Sequence, residues 1–260
     1  MTHSPWTCLT VDREADIAHL RLVRPALHNR FDEEQHREFP EALRHIAALP
    51  DLAAVLISAE GASFSAGGDT AMMLRANGSA ALRERLHEEA LAIVHGLLDL
   101  PCPVIAAVQG AAIGLGATLL GCCDMVVAAR AARIADPHVQ LGLVAGDGGV
   151  LAWTQSLGFM RARRYLLTGD ALSAEEAFGM GLVSDLVDTP EQALPAAMLL
   201  AQRFTKLPRG GVQGTKQAFS QLSRDLYGAA FRQSLDAEMQ TLAGTEVRQR
   251  LEASRDRSRS

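Results

Sequence analysis

Aromatic side chains are scarce in this sequence, at 5% of its 260 residues, although hydrophobic residues together make up 48%. The apolar content therefore comes mainly from aliphatic residues, and with 22 glycines it favours helices and strands packed in close layers. Charged residues make up 21% and the formal net charge is −5. This composition excludes a generally disordered chain, and it provides no general attraction for nucleic acid or an anionic membrane surface.

Signals for export, membrane insertion and disulfide formation are also missing. Residues 1–6 contain neither the basic nor the apolar region of a secretory signal. The uncharged stretch 100–123 is interrupted by prolines and glycines, which favours a buried strand, turn and helix over a membrane span. The four cysteines form no CxxC and no paired spacing, which predicts free thiols in a reducing compartment. We therefore expect a cytoplasmic protein.

Several motifs of common enzyme classes are absent. Gly114-Leu115-Gly116 begins like a dinucleotide-binding fingerprint, but Leu119 stands where the third glycine would be needed. The sequence has no P-loop, no GxSxG and no paired histidines of a zinc protease. Neither a nucleotide-binding site nor a metal site is predicted from these patterns.

The pattern of apolar residues predicts an α/β protein of single-domain length. Strands at 7–11 and 17–23 are expected to form a hairpin, followed by a helix over 31–49 with Asp32 as its N-cap. A second helix is indicated at 80–100, where leucines and other apolar residues recur at helical spacing. Short apolar runs predict further strands at 53–58, 104–108, 125–129 and 182–187.

The second half of the chain is predicted to be mainly helical. Residues 1–195 are expected to form the α/β core, and residues 196–260 a C-terminal helical region with a polar tail at 255–260. The helices expected after residue 137 cover 150–157, 162–167, 174–178, 191–206, 212–222 and 224–243.

Two glycine-rich turns are the first candidates for chemistry. FSAGGD at 64–69 and QGAAIGLG at 109–116 each follow a predicted buried strand and precede a helix. Each turn would present free main-chain N–H groups at a helix start, and two adjacent turns could direct two donors at one developing oxyanion. The glycines could instead only permit tight turns, with Asp69 as an N-cap of the next helix.

Together with other segments, these turns resemble the motifs of the crotonase, or enoyl-CoA hydratase/isomerase, superfamily. The resemblance extends over about residues 7–240 in one register. Its motifs are Arg24-Pro25 with Asn29, FSAGGD at 64–69, PVIAAVQGAAIGLG at 103–116, Cys123-Asp124, Gly142-Leu143 with Gly148-Gly149, LLTGDALSAEEAFGMGLV at 166–183, and Lys216.

The resemblance implies a crotonase-like spiral of ββα units with a C-terminal helical region used for trimerisation. It also implies a small-molecule acyl-CoA thioester as substrate, with coenzyme A as part of that substrate and no separate cofactor or metal. The expected assembly is a homotrimer or a dimer of trimers. Neither a nucleic acid nor a membrane is expected as a partner.

By the same resemblance, the thioester oxygen would be held by the main-chain N–H groups of Gly68 and Leu115. Leu115 stands where the family has glycine, but the donor belongs to the main chain and is retained. The CoA-binding candidates, matched by position or by proximity to the first turn, are Arg24, Ala26, Ala66 and Asp69.

Both catalytic glutamates of the family's hydratases are replaced, by Thr118 and His138. Ordinary hydration relies on two such acids, so this reaction is in doubt. His138 and Asp147 are the candidate catalytic residues in their place, since a carboxylate can fix the tautomer of an imidazole and stabilise its charged form. His138 could also be a structural histidine, and Asp147 could be the N-cap of the following helix.

Three functions remain open at this point. The first is an acyl-CoA enzyme of the hydratase/isomerase type that stabilises an enolate. The second is a C–C bond hydrolase that cleaves a β-diketone or β-keto substrate with the pair His138 and Asp147. The third is an acyl-CoA-binding protein without catalysis.

Overall fold

Two parallel-rich sheets form the centre of the molecule. The computed structural model describes residues 5–257. The six-stranded sheet has the order β1-β2-β3-β5-β7-β10, antiparallel between β1 and β2 and parallel elsewhere. Its strands are β1 Leu9–Glu14, β2 Ile17–Leu22, β3 Ala54–Ala59, β5 Val104–Val108, β7 Met125–Ala129 and β10 Asp185–Val187.

The second sheet has the order β4-β6-β8-β9 and is parallel except between β8 and β9. Its strands are β4 Ser63–Ser65, β6 Ala111–Ile113, β8 Arg133–Ala135 and β9 Leu172–Ser173. The pairs β3/β4, β5/β6 and β7/β8 each contribute one strand to each sheet before the chain turns to helix. This repeat of ββα units confirms the predicted fold class.

Ten α-helices cover the two sheets within residues 5–257. They are α1 Glu33–Ala47, α2 Thr70–Gly78, α3 Ala80–Asp99, α4 Leu115–Cys122, α5 Gly149–Leu157, α6 Phe159–Thr168, α7 Ala174–Met180, α8 Pro190–Phe204, α9 Arg209–Leu242 and α10 Thr245–Arg257. No helix in this part of the chain is both long and apolar enough to cross a membrane. The cytoplasmic location stays a prediction.

Strand β3 lies between two hydrophobic layers, as its apolar run predicts. Val55 and Ile57 face the main core under α1 and α3, whereas Ala54 and Leu56 face a second cluster that includes residues of α8. Side chains alternate across a strand, so a strand buried on both faces needs apolar residues at every position. The predicted hairpin is confirmed by β1 and β2, and Asp32 caps α1 by accepting from the Gln35 N–H at 3.1 Å.

Several predicted elements differ from the structure. The strand expected at 182–187 is only Asp185–Val187, because the Leu182 and Val183 N–H groups donate to the Ala177 carbonyl and close α7. Cys122 is the last residue of α4, three residues before the strand predicted at 125–129 begins. All four cysteines are free, as predicted.

The C-terminal region is more continuous than its sequence indicates. The two helices expected at 212–222 and 224–243 form the single helix α9, in which Ser223 donates to Gln155 on α5 at 2.9 Å. The polar tail expected at 255–260 begins inside α10, and residues 258–260 lie outside the described part of the chain. The predicted boundary at 195/196 falls inside α8, and Ala197 and Ala201 beyond it pack against the six-stranded sheet.

Candidate active site

The two glycine turns lie side by side, as the sequence predicts. Strands β4 and β6 are parallel neighbours, so the turns that follow them leave the same edge of the sheet. Gly67 has a φ of +77°, and a Cβ there would lie 2.6 Å from the Ile113 carbonyl oxygen. A Cβ on Gly116 would lie 2.8 Å from the Ser65 Cβ. Only glycine fits at these two contacts, and the close approach of the turns depends on it.

The N–H groups of Gly68 and Leu115 are both available to a ligand. Phe31 donates to the Gly67 carbonyl at 2.8 Å and accepts from the Asp69 N–H at 2.9 Å. In this parallel bridge the N–H of Gly68 points away from Phe31. Leu115 is the first residue of α4, where main-chain N–H groups have no partner within the helix. Both residues line one cavity.

This cavity has a volume of about 110 Å³ and lies between the two turns, α1, α2, α3 and the second half of α9. Most of its wall is apolar. The lining residues are His36, Ala66, Gly67, Gly68, Met72, Met73, Leu86, Ala90, Ile113, Gly114, Leu115, Pro137, His138, Leu141, Leu143, Asp147, Glu238, Met239 and Leu242. Both predicted catalytic residues, both predicted oxyanion donors and Ala66 are therefore brought together.

Arg24 and Ala26 are not part of this lining. The Arg24 guanidinium donates to both carboxylate oxygens of Asp32, at 2.7 and 2.8 Å, and to Gln35 at 3.1 Å. Its charge is thus already paired within the protein. Ala26 is exposed in a 3₁₀ turn, Pro25–Leu27. A role for these residues along a CoA path stays a prediction.

Asp69 also lies outside the lining, and its contacts are those of an N-cap. One carboxylate oxygen accepts from the Met72 N–H at 2.7 Å, at the start of α2. The other lies 3.1 Å from Nε of Arg30. The carboxylate therefore stabilises the start of the helix that follows the first turn, and its role in CoA binding stays a prediction.

Three titratable side chains of the cavity wall, His138, Asp147 and Glu238, form a buried or largely buried cluster with Asp136, which lies outside the lining. Nδ1 of His138 contacts the Asp136 carboxylate, whereas Nε2 lies 3.6 Å from Asp147 and 3.7 Å from Glu238. The carboxylate that can fix the imidazole tautomer is thus Asp136, because it meets Nδ1 directly. Asp147 is on the side of the other nitrogen.

Local backbone features hold Asp147 at this place. Thr118, at one of the family's two glutamate positions, donates to Asp147 at 3.3 Å. The N-cap of α5 is Gly148, with a φ of +110°, so Asp147 lies one residue before the cap position expected for it. A Cβ on Gly148 would lie 2.7 Å from Thr118 and 2.8 Å from Val94. Glycine at this position therefore lets the Asp147 backbone approach α3 and α4.

Three of these side chains, His138, Asp147 and Glu238, have shifted pKa values. Burial lowers the pKa of His138, but attraction to Asp136, Asp147 and Glu238 outweighs burial and raises it well above its usual value. Burial and repulsion from Asp136 raise the pKa of Asp147 to about 6, against the attraction of His138. Burial and repulsion from the two aspartates raise the pKa of Glu238 to about 8. At neutral pH, Asp147 is therefore mainly ionised, Glu238 mainly protonated and His138 charged.

Glu238 and Asp136 were not identified from the sequence. A signal for Glu238 was present, since Phe231, Leu235, Glu238 and Leu242 recur at spacings of four, three and four and are all buried on α9. A carboxylate within such an apolar stripe is unusual for a helix packed on a core. Helix α9, which carries Glu238, comes close to the loop before Asp147 because Gly146 packs directly on the Ser234 carbonyl. A Cβ on Gly146 would lie 2.3 Å from that oxygen.

The same cluster includes the residues best placed for a cation. Ligand atoms of Asp136, His138 and Asp147 all lie within 4.8 Å of one another. The contact between His138 Nδ1 and Asp136 is, however, that of an imidazole and the carboxylate that orients it. The expectation of no metal stays a prediction. Of the two histidines His28 and His36, only His36, which is on α1, lines the cavity.

Comparison with known proteins gives a consistent result. The family model described as Enoyl-CoA hydratase/isomerase matches residues 12–256. Crotonyl-CoA hydratase of Syntrophomonas wolfei is 32% identical over 213 residues, 81% of this chain and 80% of that protein. 1,2-Epoxyphenylacetyl-CoA isomerase of Escherichia coli is 32% identical over 236 residues, 89% and 88% of the two chains. The crystal structure of an enoyl-CoA hydratase/isomerase from Mycobacterium paratuberculosis superposes with a TM-score of 0.91 at 31% identity, over 96% of this chain and 99% of that one.

Proposed function

We propose that this chain, which belongs to the enoyl-CoA hydratase/isomerase family, transfers protons between carbon atoms of an acyl-CoA thioester. In this proposal the thioester oxygen accepts hydrogen bonds from the Gly68 and Leu115 N–H groups, which stabilise an enolate. One such donor contributes roughly 3–4 kcal/mol to lowering the barrier. Asp147 removes the proton and Glu238 returns one at another carbon.

The observation that supports this proposal most is the pairing of two carboxyl groups around one imidazole. Asp147 and Glu238 lie 3.6 and 3.7 Å from the same nitrogen of His138, and their pKa values are separated to about 6 and about 8. A carboxylate base and a neutral carboxylic acid can thus coexist at pH 7, as acid–base chemistry requires. His138, oriented by Asp136, would keep Asp147 ionised.

Exchange of the α-proton tests this proposal directly. A saturated acyl-CoA incubated in D₂O should gain deuterium at the α carbon, detected by mass spectrometry. Asp147→Asn should slow this exchange by about 10²-fold or more, because the base is lost. Glu238→Gln should slow transfer to a more distant carbon more than it slows α exchange.

Asp236→Asn is the matched control, because Asp236 is an exposed acid on the same helix as Glu238 and pairs with His87 at 2.9 Å. It should leave both rates unchanged. Exchange by Asp147→Asn at the rate of the unmodified protein would exclude Asp147 as the base. Hydration of crotonyl-CoA should be much slower than in family hydratases, and an equal rate would contradict the loss of that route through Thr118 and His138.

The contact between Asp136 and Nδ1 of His138 favours a second candidate, the C–C bond hydrolase. An oriented imidazole can activate water for attack on a carbonyl, after which the departing enolate is held by the same two N–H groups. This reaction requires a neutral His138. Its pKa is raised well above the usual value, so hydrolysis should increase toward alkaline pH. His138→Ala and Asp147→Asn should each abolish cleavage of a β-diketone.

The pH profile separates these two functions. Proton transfer requires Asp147 ionised and Glu238 protonated, so its rate should rise through about pH 6 and fall through about pH 8. Hydrolysis should instead increase toward alkaline pH, because it requires the neutral form of His138. Saturable binding of an acyl-CoA with neither exchange nor cleavage at any pH would leave the third function, a binding protein without catalysis.

A homotrimer or a dimer of trimers is part of the proposal. The first half of α9 exposes Phe219, Leu222 and Leu226, at 63%, 52% and 60% of their surfaces. The same side chains border a cleft of about 770 Å³ between α9 and the body of the chain. Contiguous exposed apolar surface of this kind is typical of a protein interface, and a second copy of the chain would cover it.

A further inference from the structure

His36 is a polar side chain of the cavity wall that the proposed proton transfer does not use. It lies on α1, is 7% exposed, and packs edge-on against the Phe31 ring with centroids 5.6 Å apart. Its Nδ1 is enclosed by protein and has no hydrogen-bond partner, so a group in the cavity cannot reach this nitrogen. The ring nitrogen that a ligand can meet is Nε2, which is not enclosed in this way.

The packing of α1 against α3 places His36 away from the acid–base cluster. Glu33 pairs with Arg85, and Gly96 packs on Leu43, so the two helices run in the same direction. His36, about one turn after Glu33, is therefore level with Leu86 and Ala90.

The acid–base cluster lies beside a later part of α3 than His36 does. Gly148, next to Asp147, packs on Val94, where a Cβ would lie 2.8 Å from the Val94 side chain. The distance along α3 from Leu86 or Ala90 to Val94 is four to eight residues, roughly 6–12 Å at the rise of an α-helix. A short acyl chain that starts at the acid–base cluster can span this distance.

The surroundings of His36 restrict the group it can recognise. The neighbouring wall is apolar, formed by Met72, Met73, Leu86 and Ala90. Burial lowers the pKa of His36 to about 4, so the imidazole is neutral at pH 7 and Nε2 is a donor or an acceptor according to its tautomer. A hydroxyl group can bond to either form and a carbonyl group to the donor form, whereas a carboxylate would be buried without a counter-charge.

We propose that His36 determines specificity by binding a hydroxyl or carbonyl oxygen on the distal part of a short acyl chain. The proposal rests on the proposed function, since it takes the acyl-CoA thioester as the ligand of the cavity. The volume of about 110 Å³ limits the acyl group to a few carbon atoms, since a cavity of about 150 Å³ holds one benzene molecule. The substrate class is then the short, oxygenated acyl thioesters.

Matched pairs of CoA thioesters test this proposal. Butyryl-CoA is compared with 4-hydroxybutyryl-CoA, and pentanoyl-CoA with 5-hydroxypentanoyl-CoA, by Kd from calorimetry and by kcat/KM for α-deuterium exchange. The unmodified protein should prefer the oxygenated member of at least one pair by about tenfold or more. His36→Leu should bring the ratio of the two affinities near one, because it weakens binding of the oxygenated thioester alone. His36→Gln, whose amide both donates and accepts, should restore part of the preference.

His45→Leu is the control, because His45 lies on the same helix but is exposed and outside the cavity lining. It should leave the ratio unchanged. A ratio near one for every pair in the unmodified protein would refute the proposal without any variant. Equal weakening of both members by His36→Leu would also refute it, because it would show a structural role only. A preference in Kd with no exchange for any thioester would instead support the role of His36 and contradict the proposed reaction.

Discussion

His19 is a buried histidine whose protonation is coupled to folding. His19 on β2 shares a hydrogen bond of 2.7 Å with Ser58 on β3 and is 7% exposed. Burial and the nearby Arg21 charge lower its pKa to about 4. A histidine whose pKa is lowered on folding stabilises the folded state above its unfolded pKa, and this contribution is lost as the pH falls toward the folded value.

Between pH 6.5 and pH 4 the protein should therefore lose the contribution of His19 to its free energy of unfolding, roughly 3 kcal/mol. Asp147 and Glu238, whose pKa values are raised, act in the opposite direction over this range. His19→Gln keeps a partner for Ser58 but cannot be protonated, so as the pH falls its free energy of unfolding should rise relative to that of the unmodified protein by about this amount. Urea unfolding at several pH values measures the two curves. The exposed variant His45→Gln should follow the unmodified protein, and parallel curves for His19→Gln and the unmodified protein would contradict the assignment.

At the residue scale, the sequence predicts which residues belong to the site motifs, but it does not predict which other side chains they contact. Gly68, Leu115 and His138 follow from short motifs, because a glycine turn and a replaced residue are visible locally. Asp136 lies two residues before His138, yet its contact with Nδ1 depends on the 3₁₀ turn that begins at His138. Glu238 is a hundred residues away in the sequence, and only the packing of α9 brings it to the cavity.

The start of α4 is the element on which the proposed oxyanion site depends. Leu115 occupies the first helical position, where proline is well tolerated because its missing N–H has no partner in the helix. Leu115→Pro should therefore retain the fold and slow α-proton exchange by about 10²–10³-fold through loss of one donor. Circular dichroism and the exchange assay measure the two properties.

Leu115→Ala provides the comparison, because it removes the same buried side chain and keeps the N–H. It should lose much less activity than the proline variant. Equal activity of the two variants would show that this N–H does not stabilise the transition state.

Helix α9 shows where predictions of elements fail. Ser223 is a neutral residue that neither favours nor breaks a helix, so the local pattern does not settle whether one helix or two is present. Its hydrogen bond to Gln155 forms only after α5 and α9 pack. Helix α10 was not predicted because, over its residues 245–255, only Val247 and Leu251 are buried, too few for a clear apolar stripe in a polar segment.

At the scale of the whole molecule, the exposed face of α9 predicts self-association. Phe219→Glu and Leu226→Glu place a charge where apolar surface would be buried between copies, which is strongly unfavourable. Each variant should have the mass of one chain in light scattering, whereas the unmodified protein should have the mass of three or six chains. Gln217→Glu adds a charge on the same helix outside the apolar row and should leave the assembly intact. An unmodified protein with the mass of one chain would contradict the assembly.

The packing of Gly146 on the Ser234 carbonyl also sets an order of events during synthesis. The chain emerges from the ribosome N-terminus first, so the two glycine turns and His138 are all made at least about a hundred residues before Glu238. The wall residues Glu238, Met239 and Leu242 join the cavity only where the second half of α9 packs on Gly146. A chain that has not yet completed α9 therefore lacks one wall of the cavity, and the proposed activity should appear only after this helix has packed.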